Sequence, residues 1–219
     1  MMLHLAKLTL DLQSRDARRD LVDPYDMHRT LSRAFHGTDG RSPFLWRLED
    51  YRPGERPVVL VQSGVTPNWK QLPDRWLAED HAQRVWEPEK VIRPGQWVRF
   101  RVLANPTITT VPKGMERQGS ARGHRKRLGL TKPEDQLNWF QRQGAALGLS
   151  SIAAEVVRSG RIRSTRKQGH PITVDIALLE GQALVVDAVA LAAGMKTGIG
   201  HARMLGLGLI SVAPLAGAR

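Results

Sequence analysis

The sequence predicts an α+β protein made of two tandem ferredoxin-like (β-α-β-β-α-β) domains. Three observations carry that prediction. At roughly 150 residues per domain, a chain of 219 residues holds one large domain or two small ones. Its apolar periodicity gives nearly the same order of strands and helices twice. Between the two copies Arg93-Pro94-Gly95 breaks the chain, which sets the expected domains at 1–93 and 94–219.

Taken in order, Leu3–Asp11 alternates and reads as a strand, and the charged stretch Ser14–Leu21 reads as a loop or short turn. Asp23 is a good N-cap and Pro24 suits the first helical position, so a helix should run from there to about His36-Gly37. Leu45–Glu49 and Val58–Gln62 read as strands around the turn Arg52-Pro53-Gly54. Pro67 can open a second helix to about Ala78, and Val85–Ile92 a further strand. In the second half Trp97–Leu103 is a strand with Val98, Phe100 and Val102 on one side and Arg99 and Arg101 on the other. Residues 106–132 show little periodicity. Pro133–Leu147 is a helix with Leu137, Phe140 and Leu147 toward its inner face, and Ile152–Val157 a strand. Ile172–Leu179 and Ala183–Val186 read as two strands joined by Glu180-Gly181-Gln182. Asp187–Ala193 is a helix and Leu207–Val212 the last strand.

Composition narrows the function. The net charge is +12, and residues 94–219 hold 18 basic against 7 acidic side chains, whereas residues 1–93 hold 15 against 14. A localised excess of this kind points to a polyanionic partner, above all a nucleic acid. The absence of cysteine excludes disulfides, thiolate metal sites and a cysteine nucleophile. The histidines are scattered and the carboxylates do not cluster as two-metal nuclease ligands do, so neither a metal nor a cofactor is expected. No apolar run reaches the ~18 residues of a membrane span, and Met1–Leu12 does not suit a signal peptide. The expected location is the cytoplasm, with no membrane contact.

On a helical wheel, Met27, Leu31, Ala34 and Phe35 fall on one arc and form the stripe to be buried. Tyr25, His28, Arg29, Ser32, Arg33 and His36 fall opposite, with Tyr25 and His28 one turn apart. A phenol, an imidazole and guanidiniums on one exposed face can move protons and neutralise a phosphate. The plainer reading is an exposed histidine with no chemistry. The helix dipole opposes protonation of His28 and Asp26 favours it, which leaves the sign of its pKa shift open.

Residues 194–208 hold five glycines around Lys196, His201 and Arg203. Gly198, Gly200 and their neighbours can offer free N–H groups beside cations to a phosphate chain, or can form a tight packing turn. Lys113, Arg117, Arg122, Arg125, Lys126, Arg127 and Lys132 make 113–132 strongly basic. Arg158, Arg161, Arg163, Arg166 and Lys167 lie between two strands and suit a hairpin arm that clamps a duplex backbone. Aromatic residues are scarce at 5%, so backbone reading of a folded or double-stranded RNA is favoured over stacking on single strands.

Asp23-Pro-Tyr25-Asp-Met-His28-Arg-Thr-Leu-Ser-Arg33-Ala-Phe35, then Trp97–Pro106, then Gly198-Ile-Gly200-His-Ala-Arg-Met-Leu-Gly206-Leu-Gly208 and the strand up to Pro214 closely resemble the CasE family. These are the CRISPR RNA-processing endoribonucleases of type I-E Cascade, and the resemblance spans residues 1 to about 215. It implies two ferredoxin-like domains, metal-independent cleavage of the repeat RNA at the 3′ base of its hairpin, and retention of the crRNA 3′ stem-loop inside Cascade. The partners it implies are the repeat hairpin in pre-crRNA and crRNA and the other Cascade subunits, the backbone subunit especially. It implies that Tyr25 and His28 are the catalytic pair, with Arg33 where relatives carry a basic residue. Arg29, the Arg158–Lys167 arm, and Lys196, Gly198, Gly200, His201 and Arg203 are then the expected RNA contacts. Two rivals stand beside it: a non-catalytic RNA-binding Cascade subunit, and a general basic RNA-binding protein.

Overall fold

The computed structural model describes residues 1–35, 44–78, 81–110, 126–165 and 171–215. In the first half, strand β1 (Leu3–Thr9) pairs antiparallel with both β3 (Val58–Ser63) and β4 (Ala82–Trp86), and β2 (Phe44–Leu48) flanks β3, giving the order β2-β3-β1-β4. Helices α1 (Arg15–Val22) and α2 (Pro24–Ser32) cover this sheet and close a core of Ala6, Leu8, Met27, Leu31, Trp46, Val59 and Val61.

Three first-half expectations are corrected. Ser14–Leu21 is not a loop: Ser14 caps α1 by accepting from the Ala17 N–H at 3.4 Å, and the helix buries Ala17 and Asp20. Its high charge hid that burial, because Asp20 lies inside as the acceptor of the Trp76 indole N–H at 2.8 Å. The helix expected from Pro67 shrinks to one 3-10 turn at Trp69–Gln71. Pro73 disfavours a helical conformation at Leu72 and supplies no N–H, and the core is reached by Trp69 from the 3-10 turn and by Trp76 from irregular chain. The strand expected at Val85–Ile92 divides into the end of β4 and a short helix, α3 (Pro88–Val91).

The second half contains β5 (Trp97–Ala104), β6 (Thr107–Thr110), β7 (Lys126–Gly129), α4 (Pro133–Ala146), β8 (Leu149–Thr165), β9 (Pro171–Val185), α5 (Ala188–Thr197) and β10 (Ile210–Pro214). Four of these strands form an antiparallel sheet in the order β10-β5-β9-β8, while β6 and β7 pair separately. Within each half the sheet runs fourth, first, third, second strand, so the two halves share one connectivity. Phe100, Phe140, Leu179, Leu191 and Met195 lie in the core between this sheet and its helices.

Here too the outcome differs from the reading. Glu180-Gly181-Gln182 is not a turn, because β9 runs straight through it. A Cβ on Gly181 would sit 2.0 Å from the carbonyl oxygen of Ala153 in β8. Glycine is needed there for close strand approach beside a break in the β8–β9 register. With β8 and β9 both long, the hairpin they form is an arm whose far end reaches the start of α2.

The two sheets meet where β2, an edge of the first, approaches β5 and β10. Arg47 of β2 is buried there. Its Nη1 donates to the carbonyls of Arg101 and Leu209 at 3.1 Å each, and its Nη2 donates to Ser211 Oγ at 3.1 Å. Glu49 balances its charge at 2.7 Å. Removal of one member of a buried, paired network strands the others. Arg47→Ala is therefore expected to destabilise the protein by about 3–5 kcal/mol, against less than about 0.5 kcal/mol for the exposed Arg99→Ala, measured by chemical unfolding.

Candidate active site

Helix α2 begins at Asp23, whose Oδ1 accepts the Tyr25 N–H at 2.9 Å, with Pro24 in the first turn. Met27, Leu31, Ala34 and Phe35 are all buried, as the wheel requires. The opposite arc is not uniformly exposed. Arg29 and Arg33 face solvent, but Tyr25, His28 and Ser32 are half-buried. The second half of the chain packs on this helix: the 3-10 turn Arg203–Leu205 lies on α2, and Tyr25 packs against the cluster of Leu103, Ile176, Leu178, Leu205 and Leu207. Ile162 of the arm joins the same cluster. The helix itself ends at Ser32 and passes into a 3-10 turn, Arg33–Phe35; the expected end at His36 lies outside the described residues.

The His28 ring stacks on Phe44, with ring centroids 5.0 Å apart, and Phe44 stacks on Phe35 at 4.6 Å. Its Nδ1 is buried and has no hydrogen-bond partner among the described residues. Burial pushes the imidazole pKa down to about 4. Asp26, which could have held a proton on the ring, is instead bound to Arg29 at 2.8 Å. The imidazole is therefore neutral at neutral pH and can accept a proton.

The cations expected to contact RNA lie in the second half of the chain. Arg158 bonds Asp50 at 3.1 Å and Arg161 bonds Asp175 at 2.7 Å, while Arg163 is exposed on the same strand. Arg166 and Lys167 lie outside the described residues. Lys196, in the last turn of α5, lies over Gly64, beside the Ser63 that pairs with Phe44. His201 and Arg203 are exposed next to α2. Partial burial, then repulsion from Arg127 and Arg203, lowers the His201 pKa, so β7 contributes a cation to the same surface. Gly200 is half-buried against Trp139. Gly198 is a packing residue: its N–H is donated to Gly194 O at 2.8 Å, and its α-carbon is covered by Leu45. Among the described residues no group of three or more His, Cys, Asp or Glu side chains gathers in metal-binding proximity.

Single-sequence reasoning did not find Phe44 beneath His28, the acids Asp50 and Asp175 on the arm, or Arg127 beside His201. Asp23 was legible as a cap, but its contacts with the arm come from 141 and 142 residues further along the chain. Nothing local in the sequence signals any of these contacts.

A neutral imidazole and a phenol on one helix, with exposed guanidiniums at Arg29 and Arg33 and at Arg203 on the turn packed against it, suit chemistry on an RNA phosphodiester. The family model described as "CRISPR associated protein" matches residues 3–214. The chain is 36% identical to the CRISPR-associated endoribonuclease Cse3 of Thermus thermophilus, over 96% of this chain and 99% of that one. It is 30% identical to the CRISPR system Cascade subunit CasE of Escherichia coli, over 88% and 93% of the two chains. The structure of Thermus thermophilus Cse3 bound to an RNA representing a pre-cleavage complex superposes with a TM-score of 0.84 at 34% identity, covering 98% of this chain and all of that one. The chain belongs to the Cse3/CasE family of CRISPR-associated endoribonucleases.

The depressed His28 pKa has a signed consequence for stability. Below pH 6.5 the unfolded chain binds a proton that the folded ring refuses, so this contribution is complete above 6.5 and is lost as pH falls toward about 4. The loss should approach about 3 kcal/mol. In RNA-free protein, the unfolding free energy should fall more steeply across that window for the native chain than for His28→Gln, as followed by urea titration at a series of pH values.

Proposed function

We propose that this protein cleaves CRISPR repeat hairpins in pre-crRNA without a metal ion and then keeps the 3′ stem-loop of the mature crRNA as a subunit of a type I-E Cascade. The observation that carries this reading is the presence of Tyr25 and a neutral His28 on one helix with the exposed Arg29 and Arg33, against which the turn bearing the exposed Arg203 packs. The family relationship supports the same substrate class.

In this reading the 2′-OH beside the scissile phosphate attacks in line, giving a 2′,3′-cyclic phosphate and a 5′-OH fragment. His28 is the general base, and a bound phosphodiester anion near the ring raises its proton affinity toward the working pH. Tyr25 orients the nucleophile or moves the other proton. Arg33 and Arg29 stabilise the pentacoordinate phosphorane. Asp23 and Asp26, the carboxylates of this helix, are engaged by protein donors, which suits chemistry carried by the imidazole and phenol. The arm arginines, Lys196, Gly200, His201 and Arg203 hold the RNA.

The shared strand order of the two sheets supports tandem ferredoxin-like domains divided at residues 93/94. The protein partners in this reading are the other Cascade subunits, the backbone subunit above all, and the place of action is the cytoplasm. No helix among the described residues is long and apolar enough to cross a membrane.

His28→Ala should lower single-turnover cleavage of a cognate hairpin by about 10²–10⁴ with RNA affinity nearly unchanged. Cleavage should persist in EDTA, and a single 2′-deoxy substitution at the attacking ribose should abolish it; a deoxy substrate cut at the normal rate refutes the mechanism. Native protein that binds but does not cut would favour the non-catalytic subunit, and equal affinity for scrambled hairpins would favour a general RNA binder. If five phosphates are contacted, log Kd against log salt should change with a slope of magnitude about 3.5–4.5.

A further inference from the structure

One carboxylate joins the catalytic helix to the arm. Asp23 Oδ1 accepts from the Tyr25 N–H at 2.9 Å and from Ser164 Oγ at 2.5 Å, while Oδ2 accepts from the Thr165 N–H at 2.8 Å and Thr165 Oγ1 at 2.9 Å. Both Asp23 and Ser164 are buried. The contact lies at the far end of β8, beyond Arg158, Arg161 and Arg163, and Ile162 of the same strand packs in the cluster that receives Tyr25. Strand alternation turns Ile162 and Ser164 toward α2 and Arg161 and Arg163 away from it. A helix cap needs only the first of these four bonds. The other three serve the arm.

We propose that Asp23 is a positioning residue that latches the hairpin arm to the start of the catalytic helix, so that RNA gripped by the arm fixes where Tyr25 stands against the scissile ribose. This rests on the proposed roles of the arm and of Tyr25. The four bonds also hold the Asp23 carboxyl below its ordinary pKa against the opposing effect of burial, so the latch acceptor is charged wherever the enzyme is folded at neutral pH.

The latch and the cap can be separated. In Asp23→Asn the side-chain oxygen still caps α2, as asparagine does well. Its amide, however, meets the Thr165 N–H donor for donor and breaks the arm contact. Ser164→Ala combined with Thr165→Val weakens the latch from the arm side and leaves Asp23 and its cap untouched. With full-length protein and a cognate repeat hairpin, each set should slow single-turnover cleavage at saturating protein by about ten- to a hundredfold, the size of effect a small misplacement produces. RNA affinity should stay within about threefold. Combining the two sets should add little further loss, because both cut one connection. In RNA-free protein, exchange of the backbone amide at position 165, referred to the intrinsic rate of the residue there, should rise in both sets, a readout that needs no cleavage.

Cleavage by Asp23→Asn within twofold of native, or losses that multiply when the sets are combined, overturns the latch. Loss of RNA affinity in step with rate assigns Asp23 to binding and overturns it too. Should Asp23→Asn fail to fold, the arm-side pair carries the same test. Normal cleavage by His28→Ala is a different failure: it removes the proposed function, while the exchange result still reports on the latch itself.

Discussion

The close approach of the second half of the chain to strand β2 governs the geometry of the site. A Cβ on Gly206 would lie 2.8 Å from the Trp46 ring, and one on Gly198 2.8 Å from the Leu45 side chain. Gly206 also holds a φ of +79°, which side chains resist. Only bare α-carbons let this turn settle onto β2. Once settled, it delivers Arg203–Leu205 onto α2, and Arg47 fills the adjoining seam by answering carbonyls of the other sheet. The glycine-rich segment thus does its main work through packing, and its cations Lys196, His201 and Arg203 stand exposed because the packing puts them there.

Packing also sets the electrostatics. Alone, α2 would show His28 to water, where an imidazole titrates close to neutrality. Stacked on Phe44 of the neighbouring strand and largely buried, the ring resists protonation. The arm is moderated in the opposite sense. Asp50 and Asp175 pair with Arg158 and Arg161, so these guanidiniums are preordered by neighbouring acids. An arm held in shape this way presents its charges with less side-chain entropy to lose on binding.

The same logic explains which expectations survived. The buried stripe of α2, its cap and the β5 strand followed from local periodicity and capping chemistry, and each forms where expected. Ser14–Leu21 and Gly181 misled for one reason: both are local signals overridden by partners distant in sequence. Asp20 is tolerated inside because Trp76 donates to it, and Gly181 stays in a strand because Ala153 O comes too close for any other residue. The expected helix after Pro67 failed for a local reason, the second proline at position 73, whose effect on Leu72 outweighs the favourable start.

The sequence by itself determined the two-part α+β plan, the concentration of positive charge in the second half, and the tyrosine-histidine spacing on one helix, because periodicity, composition and helical pitch are properties of short stretches. Only the tertiary structure decided that His28 is neutral, that Gly198 packs while Arg203 faces outward, and that Asp23 reaches the arm. Each of these depends on desolvation or contact between segments apart in the chain, and such proximity is created only when the chain folds.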